Sequence, residues 1–261
     1  MSPTRLIMHG AAGRMGRRIL SLAVEDANGF SIVAGVDLNP GKLRDLGVPS
    51  DAPLQKALPV APGAVVIDFS HPDVTPGVVR HCAEHGMPLV IGTTGIKPES
   101  LNCLIASAVK SIPILAAPNM SLGVNLVIAM AAKMSAALGQ DYDIEIVEAH
   151  HNKKLDAPSG TALGIADAIA AATDRTRADY VNGRDGQVGA RTKREIGIHA
   201  VRMGDVVGDH TVYWVGGGER IMLGHMAHTR DIFAKGALRA AAFLGTAKPG
   251  NYGMADVLGL R

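Results

Sequence analysis

The sequence has little cysteine, few aromatic side chains and almost no net charge. Cys82 and Cys103 are the only cysteines in 261 residues. They are too few for a disulfide framework and stand in no metal-type spacing. A reducing compartment suits them, and a cytoplasmic location is expected. Aromatics make up 3% of the chain, which argues against the stacking platforms used to bind nucleic acids. The formal net charge is +2, without the basic excess of a nucleic-acid partner. The longest expected helix, 121–138, carries Asn125 and Lys133. It reads as a buried or interface helix rather than a membrane span. The first residues run straight into a strand with no secretory pattern. No internal repeat or low-complexity linker is visible. The length allows one large domain or two modest ones, with a core built from Ala, Val, Ile, Leu and Met.

The densest chemistry lies in residues 145–162. Apolar Ile144, Ile146 and Val147 predict a strand. A polar run follows: His150, His151, Lys153, Lys154, Asp156, then Pro158-Ser159-Gly160-Thr161. The Ala- and Leu-rich segment from Thr161 to Ala172 predicts a helix, with Ser159 as its N-cap. The first helical N–H groups, at Gly160 and Thr161, suit an anion. Lysines beside them favour a carboxylate, and a histidine there can exchange a proton near neutral pH. The same residue types also make an ordinary capped turn with solvated lysines. Neighbouring histidines on a strand point to opposite faces, so a shared metal ion is not expected.

Earlier in the chain, Leu6-Ile7-Met8 leads into Gly10-Ala11-Ala12-Gly13-Arg14-Met15-Gly16 and a helical pattern. Strand, glycine turn and helix let backbone N–H groups approach a pyrophosphate. By itself such a repeat is a weak signal. A second strand, 31–36, ends at Asp37, the distance at which an acid binds an adenosine ribose. Strands at 65–69, 88–91 and 114–117 alternate with helices, one of them with Pro98 in its first turn. This rhythm predicts a parallel sheet covered on both faces. Its ligand-facing loops would be Ser70-His71, Gly92-Thr93-Thr94-Gly95 and Pro118-Asn119-Met120.

After about residue 121 the pattern changes. Strands at 195–202, 210–215 and 219–228 are expected, the last two joined at Gly216-Gly217-Gly218 as a hairpin. A glycine-rich charged loop, 182–194, precedes them. His199, His225 and His228 are placed on these strands and read as structural or exposed, for want of surrounding carboxylates or cysteines. A final helix, 231–244, would return to the first domain. The fold class expected is α/β: a Rossmann-type nucleotide domain, 1–121 with 231–261, and an α+β domain with a mixed sheet, 122–230.

The run Glu145-Ile-x-Glu148-x-His150-x-x-x-Lys154-x-Asp156-x-Pro158-Ser159-Gly160-Thr161-Ala162 resembles the signature of the dihydrodipicolinate (4-hydroxy-tetrahydrodipicolinate) reductase family. The glycine turn, Gly92–Gly95, residues 118–125, 203–211 and 230–233 are also similar to its segments. The resemblance implies reduction of 4-hydroxy-2,3,4,5-tetrahydrodipicolinate, a cyclic dicarboxylate, by NADH and/or NADPH with loss of water. That step belongs to the diaminopimelate route to lysine. A homotetramer formed through the second domain is implied as well. His150 matches the acid–base residue and Lys154 the proton donor. His151, Ser159, Gly160, Thr161 and Thr94 match substrate contacts. Gly10–Met15, Asp37, Gly92–Thr94 and Ala117–Met120 match cofactor contacts. Where many members follow the acid with arginine, this chain has Leu38. Arg14, Lys42 and Arg44 are the other cations that could meet a 2′-phosphate, so dual use with a lean to NADH is expected. The competing readings are another Rossmann oxidoreductase of amino-acid biosynthesis and a non-catalytic nucleotide sensor. The central motif and the His150–Lys154 spacing argue against them.

Overall fold

The computed structural model describes residues 2–260. It divides into two compact units, one running to Leu122 and resuming at Asp231, the other spanning Gly123–Arg230. In chain order the first unit contains β1 (Thr4–His9), α1 (Arg14–Glu25), β2 (Phe30–Val36), β3 (Gly41–Lys42) and β4 (Pro53–Gln55). It continues with β5 (Val65–Asp68), α2 (Thr75–Glu84), β6 (Leu89–Ile91), α3 (Pro98–Ala108) and β7 (Pro113–Ala116). Then come α4 (Leu122–Leu138), β8 (Asp143–His150), α5 (Gly160–Ala172), β9 (Tyr180–Asn182), β10 (Ile196–Arg202), β11 (Asp209–Gly216) and β12 (Glu219–Met226). The chain closes with α6 (Asp231–Leu244), β13 (Gly250–Tyr252) and α7 (Met254–Val257).

The first unit is a doubly wound sheet of order β13-β7-β6-β5-β1-β2-β4-β3, parallel except for the β3–β4 pair. Alternation along each strand feeds two cores. Leu6, Met8 and Ile67 join α1 and α6 on one face. Ile7, Val66 and Leu89 join residues of α2 and α3 on the other. Arg18 of α1 holds Asp231 of α6 through two hydrogen bonds of 2.8 and 2.7 Å. The short strands β3, β4 and β13 are not legible in the sequence. Two or three residues that include glycine or proline carry no alternation to read.

The second unit is a mixed sheet of order β12-β11-β8-β10-β9. β8 pairs parallel with β10 and antiparallel with β11. Ile144, Ile146, Ile196, Ile198, Val212 and Trp214 face a core shared with α4 and α5. Trp214, the only tryptophan, is fully buried, and its indole N–H donates to Ser135 Oγ at 2.9 Å. The β11–β12 hairpin turns through Gly217 and Gly218, both at positive φ, as a two-residue turn between twisted strands demands. β12 ends at Met226, so His228 lies beyond the strand expected to carry it. Among the described residues His199 meets a single carboxylate, in the structural role expected of it. Its Nε2 lies 2.7 Å from Glu145, which also binds Arg184 and Arg191. Burial would raise the Glu145 carboxyl, but hydrogen bonds from Arg184, Arg191 and His199 outweigh it and hold the group at about 2.

Candidate active site

In the second unit the core-facing rows of three strands change character together at one end. On β8, Ile144 and Ile146 give way to Glu148 and His150, all on one face by strand alternation. Register places Arg202 of β10 opposite His150, and His210 of β11 opposite Glu148. Glu148 has no exposed surface. It accepts Nδ1–H of His150 at 2.6 Å, two N–H groups of Arg202 at 2.9 Å each, and the backbone N–H of Ser159 at 3.0 Å. Burial alone would raise its pKa. Arg202, His150 and Ser159 outweigh burial and hold the carboxyl below its usual range. Because a carboxylate only accepts, the His150 proton is fixed on Nδ1, and Nε2 carries the lone pair in the neutral ring. A side chain on Gly208 would crowd that Nε2 at 3.0 Å.

Ser159 caps α5: its Oγ accepts the Ala162 N–H at 3.1 Å. The same Oγ lies 3.0 Å from His210 Nε2. Ser159 is thus a buried joint whose polar atoms are engaged within the protein, and Gly160 and Thr161 form the first helical turn beside it. His210 stacks edge-on to His150 at 5.2 Å. Burial, with the His150 charge next, pushes its pKa down to about 4. His151 follows the strand end, with its Nδ1 buried and unpaired in the protein. Lys154 pairs with Asp156 at 2.8 Å. Among the described residues, no group of three or more His, Cys, Asp or Glu is placed to hold a metal.

In the first unit the glycine turn fits a nucleotide by its backbone. Gly10 has φ +82°, and a Cβ there would strike the Phe69 carbonyl. A Cβ on Gly16 would strike the carbonyl of Gly10. Gly13 is the N-cap of α1 and offers no side-chain cap, and the first turn carries no acid, as an incoming pyrophosphate requires. Asp37 is pinned: Oδ2 accepts the Ala12 N–H and Oδ1 the Leu38 N–H, both at 2.8 Å. Arg14 is exposed at the turn. Arg44 pairs with Asp51, and Lys42 lies 3.9 Å from the same carboxylate. Gly92 is buried and Thr94 exposed, while Thr93 binds inward to Asp68 at 3.0 Å. Ala117, Pro118 and Asn119 follow β7. Ala11 and Met120 are buried and Met15 packs on the core, so the side chains of these three serve packing.

The sequence carries Glu148 within the family motif but assigns no site role to Glu148, Arg202 or His210. Glu148 had a signal, since it stands two residues before His150 and so shares its face. His210 lies in the family-like segment 203–211 and Arg202 just before it, but only strand register brings either beside Glu148.

The family profile "Dihydrodipicolinate reductase, N-terminus" matches residues 4–120, and "Dihydrodipicolinate reductase, C-terminus" matches residues 123–258. The chain belongs to the dihydrodipicolinate reductase family. The 4-hydroxy-tetrahydrodipicolinate reductase of Myxococcus xanthus is 47% identical over 98% of both chains. That of Citrifermentans bemidjiense is 43% identical over 98% of this chain and 99% of its own. Among solved structures, the dipicolinate-bound dihydrodipicolinate reductase of Paenisporosarcina sp. TG-14 superposes with a TM-score of 0.75 at 25% identity. It covers 97% of this chain and 98% of that one. A myo-inositol 2-dehydrogenase from Lactobacillus plantarum, at 11% identity and TM-score 0.60 over 98% of this chain and 93% of its own, shares the fold alone. Membership in the dihydrodipicolinate reductase family brings a nicotinamide cofactor with it, and the glycine turn of the first unit fits one.

Proposed function

We propose that the protein reduces 4-hydroxy-2,3,4,5-tetrahydrodipicolinate to tetrahydrodipicolinate with loss of water, using NADH or NADPH, on the diaminopimelate route to lysine. Family membership supports the reaction. The observation that ties it to this chain is the buried Glu148–His150 pair beside the first turn of α5. The first unit, with its pinned Asp37 and glycine turn, takes the nucleotide. The second unit takes the substrate.

The bound nicotinamide supplies the hydride that reduces the conjugated imine. Gly160 and Thr161 orient one substrate carboxylate at the start of α5, where the helix dipole favours negative charge. Lys154 brings a positive charge and a proton for the electron-rich carbon left after reduction. His150, held in one tautomer by Glu148, handles acid–base work through Nε2. His151 completes the substrate contacts of the second unit, and Thr94 belongs to the cofactor-side loop of the first. Asp37 suits the free ribose hydroxyls of NADH. Arg44 and Lys42 already face Asp51, which leaves Arg14 to meet a 2′-phosphate. Dual use with a lean to NADH is the reading these contacts favour. The second unit also exposes Val215, Met222 and Met226 on its hairpin. This apolar surface suits the homotetramer expected of the family, and the mass in solution checks it.

The test is NADH oxidation with substrate generated in situ by the preceding synthase. His150→Gln and Lys154→Ala should each lower kcat by about 10²–10⁴-fold while cofactor binding persists. Near-normal kcat in both variants would remove these groups from the mechanism.

A further inference from the structure

Asp68 has no exposed surface and ends β5 directly across from His9, the last residue of β1. Strand order reverses here, with β2 on one side of β1 and β5 on the other. In open parallel sheets the crevice outside the carboxyl ends of the strands at such a point receives the ligand.

Each oxygen of Asp68 accepts two side-chain hydrogen bonds. Oδ1 takes the His9 Nδ1–H at 2.8 Å and the Ser70 hydroxyl at 2.5 Å. Oδ2 takes the hydroxyls of Thr75 at 2.7 Å and Thr93 at 3.0 Å. Thr93 Oγ1 in turn accepts the Ser70 N–H at 2.9 Å. The donors come from four separate segments: the residue before the glycine turn, the loop after β5, the first turn of α2, and the Gly92–Gly95 loop. Burial would push the Asp68 pKa up. The bonds from His9, Ser70 and Thr75 outweigh it and keep the group ionised. Removing a charge from water is costly, and among the described residues no lysine or arginine pairs with Asp68. The carboxylate instead satisfies donors that no single neutral side chain of its size could gather.

We propose that Asp68 is a positioning residue for the nicotinamide cofactor, holding the glycine turn through His9 and the Gly92–Gly95 loop through Thr93 in one fixed spacing. The inference rests on the nicotinamide-dependent function given above. Asp68 is sealed from the ligand and acts through the segments it ties together.

The experiment is calorimetric titration of NADH into the full chain, with steady-state kinetics alongside. The variants are Asp68→Asn, Thr93→Val and Thr75→Val. Asp68→Asn keeps the volume but turns one acceptor oxygen into a donor facing other donors. It should raise Kd and KM for NADH about tenfold, with kcat changed much less. Thr93→Val should raise Kd in the same direction. Thr75→Val loses a bond to the same carboxylate, but on α2 only. It should lower Tm and leave Kd within about twofold. Equal Kd in wild type and Asp68→Asn would overturn the inference. So would a Kd in Thr75→Val that rises as far as in Thr93→Val, since the effect would then only follow stability. If Asp68→Asn does not fold, the Thr93→Val and Thr75→Val pair decides alone. A wild-type protein that binds neither NADH nor NADPH would instead sink the functional reading itself.

Discussion

Asp68 and Glu148 are both fully buried acids, one ending β5 and the other two residues before the end of β8, and their partners differ in kind. Around Asp68 stand three hydroxyls and one imidazole. Around Glu148 stand a two-pronged guanidinium, an imidazole and a backbone N–H. Arg202 offsets the charge of Glu148 locally, so Glu148 can hold His150 in one tautomer while that ring gains and loses a proton. Hydroxyl donors move no charge, and they suit a site that only has to be held still. The same buried carboxyl thus serves two kinds of work, and its donors indicate which.

The sharpest way to break this comparison is Glu148→Gln. The amide cannot accept on both arms, so His150 loses its fixed tautomer. We expect kcat to fall by roughly 10–10²-fold, less than in His150→Gln, because Glu148 acts only through the ring. KM for NADH should stay near wild type, opposite to the pattern expected of Asp68→Asn. A cofactor KM effect without a kcat effect would erase the distinction between the two acids.

A smaller effect separates the donors by pH. The folded pKa of His210 is about 4 against an ordinary 6.5. The unfolded chain therefore binds the proton first on acidification. The stability from neutral His210 is complete above pH 6.5 and is lost as pH falls toward 4. Over that range it is on the order of 3 kcal/mol. Glu145, held at about 2 against 4.5, adds a loss in the same direction lower down. The urea midpoint should fall steadily from pH 7 to 4, and His210→Asn should flatten the upper part of the curve. A midpoint that rises on acidification would contradict the burial assigned to His210.

The smallest expected effect concerns the nucleotide side. Leu38→Arg places a cation next to Asp37, where a charge-assisted contact to a 2′-phosphate becomes possible. The ratio of kcat/KM for NADPH over NADH should rise about two- to tenfold. A strong wild-type preference for NADPH would mean that Arg14 already outweighs Asp37, and the lean to NADH would be wrong.

Much of the molecule was readable along the chain. The βα rhythm, the glycine turn before α1, the Ser159 cap and the Gly217-Gly218 hairpin are local patterns. Local patterns follow from backbone sterics and apolar periodicity within a dozen residues. The motif from Glu145 to Ala162 named the family because its polar residues are contiguous. Register and strand order decided the rest. His9 meets Asp68 59 residues away, and Glu148 meets Arg202 54 residues away. No periodicity spans such distances. Parallel pairing of β1 with β5 and of β8 with β10 sets these partners side by side. Each buried carboxylate then had to be met by whatever donors that pairing delivered, because an unpaired charge in the interior is too costly to persist.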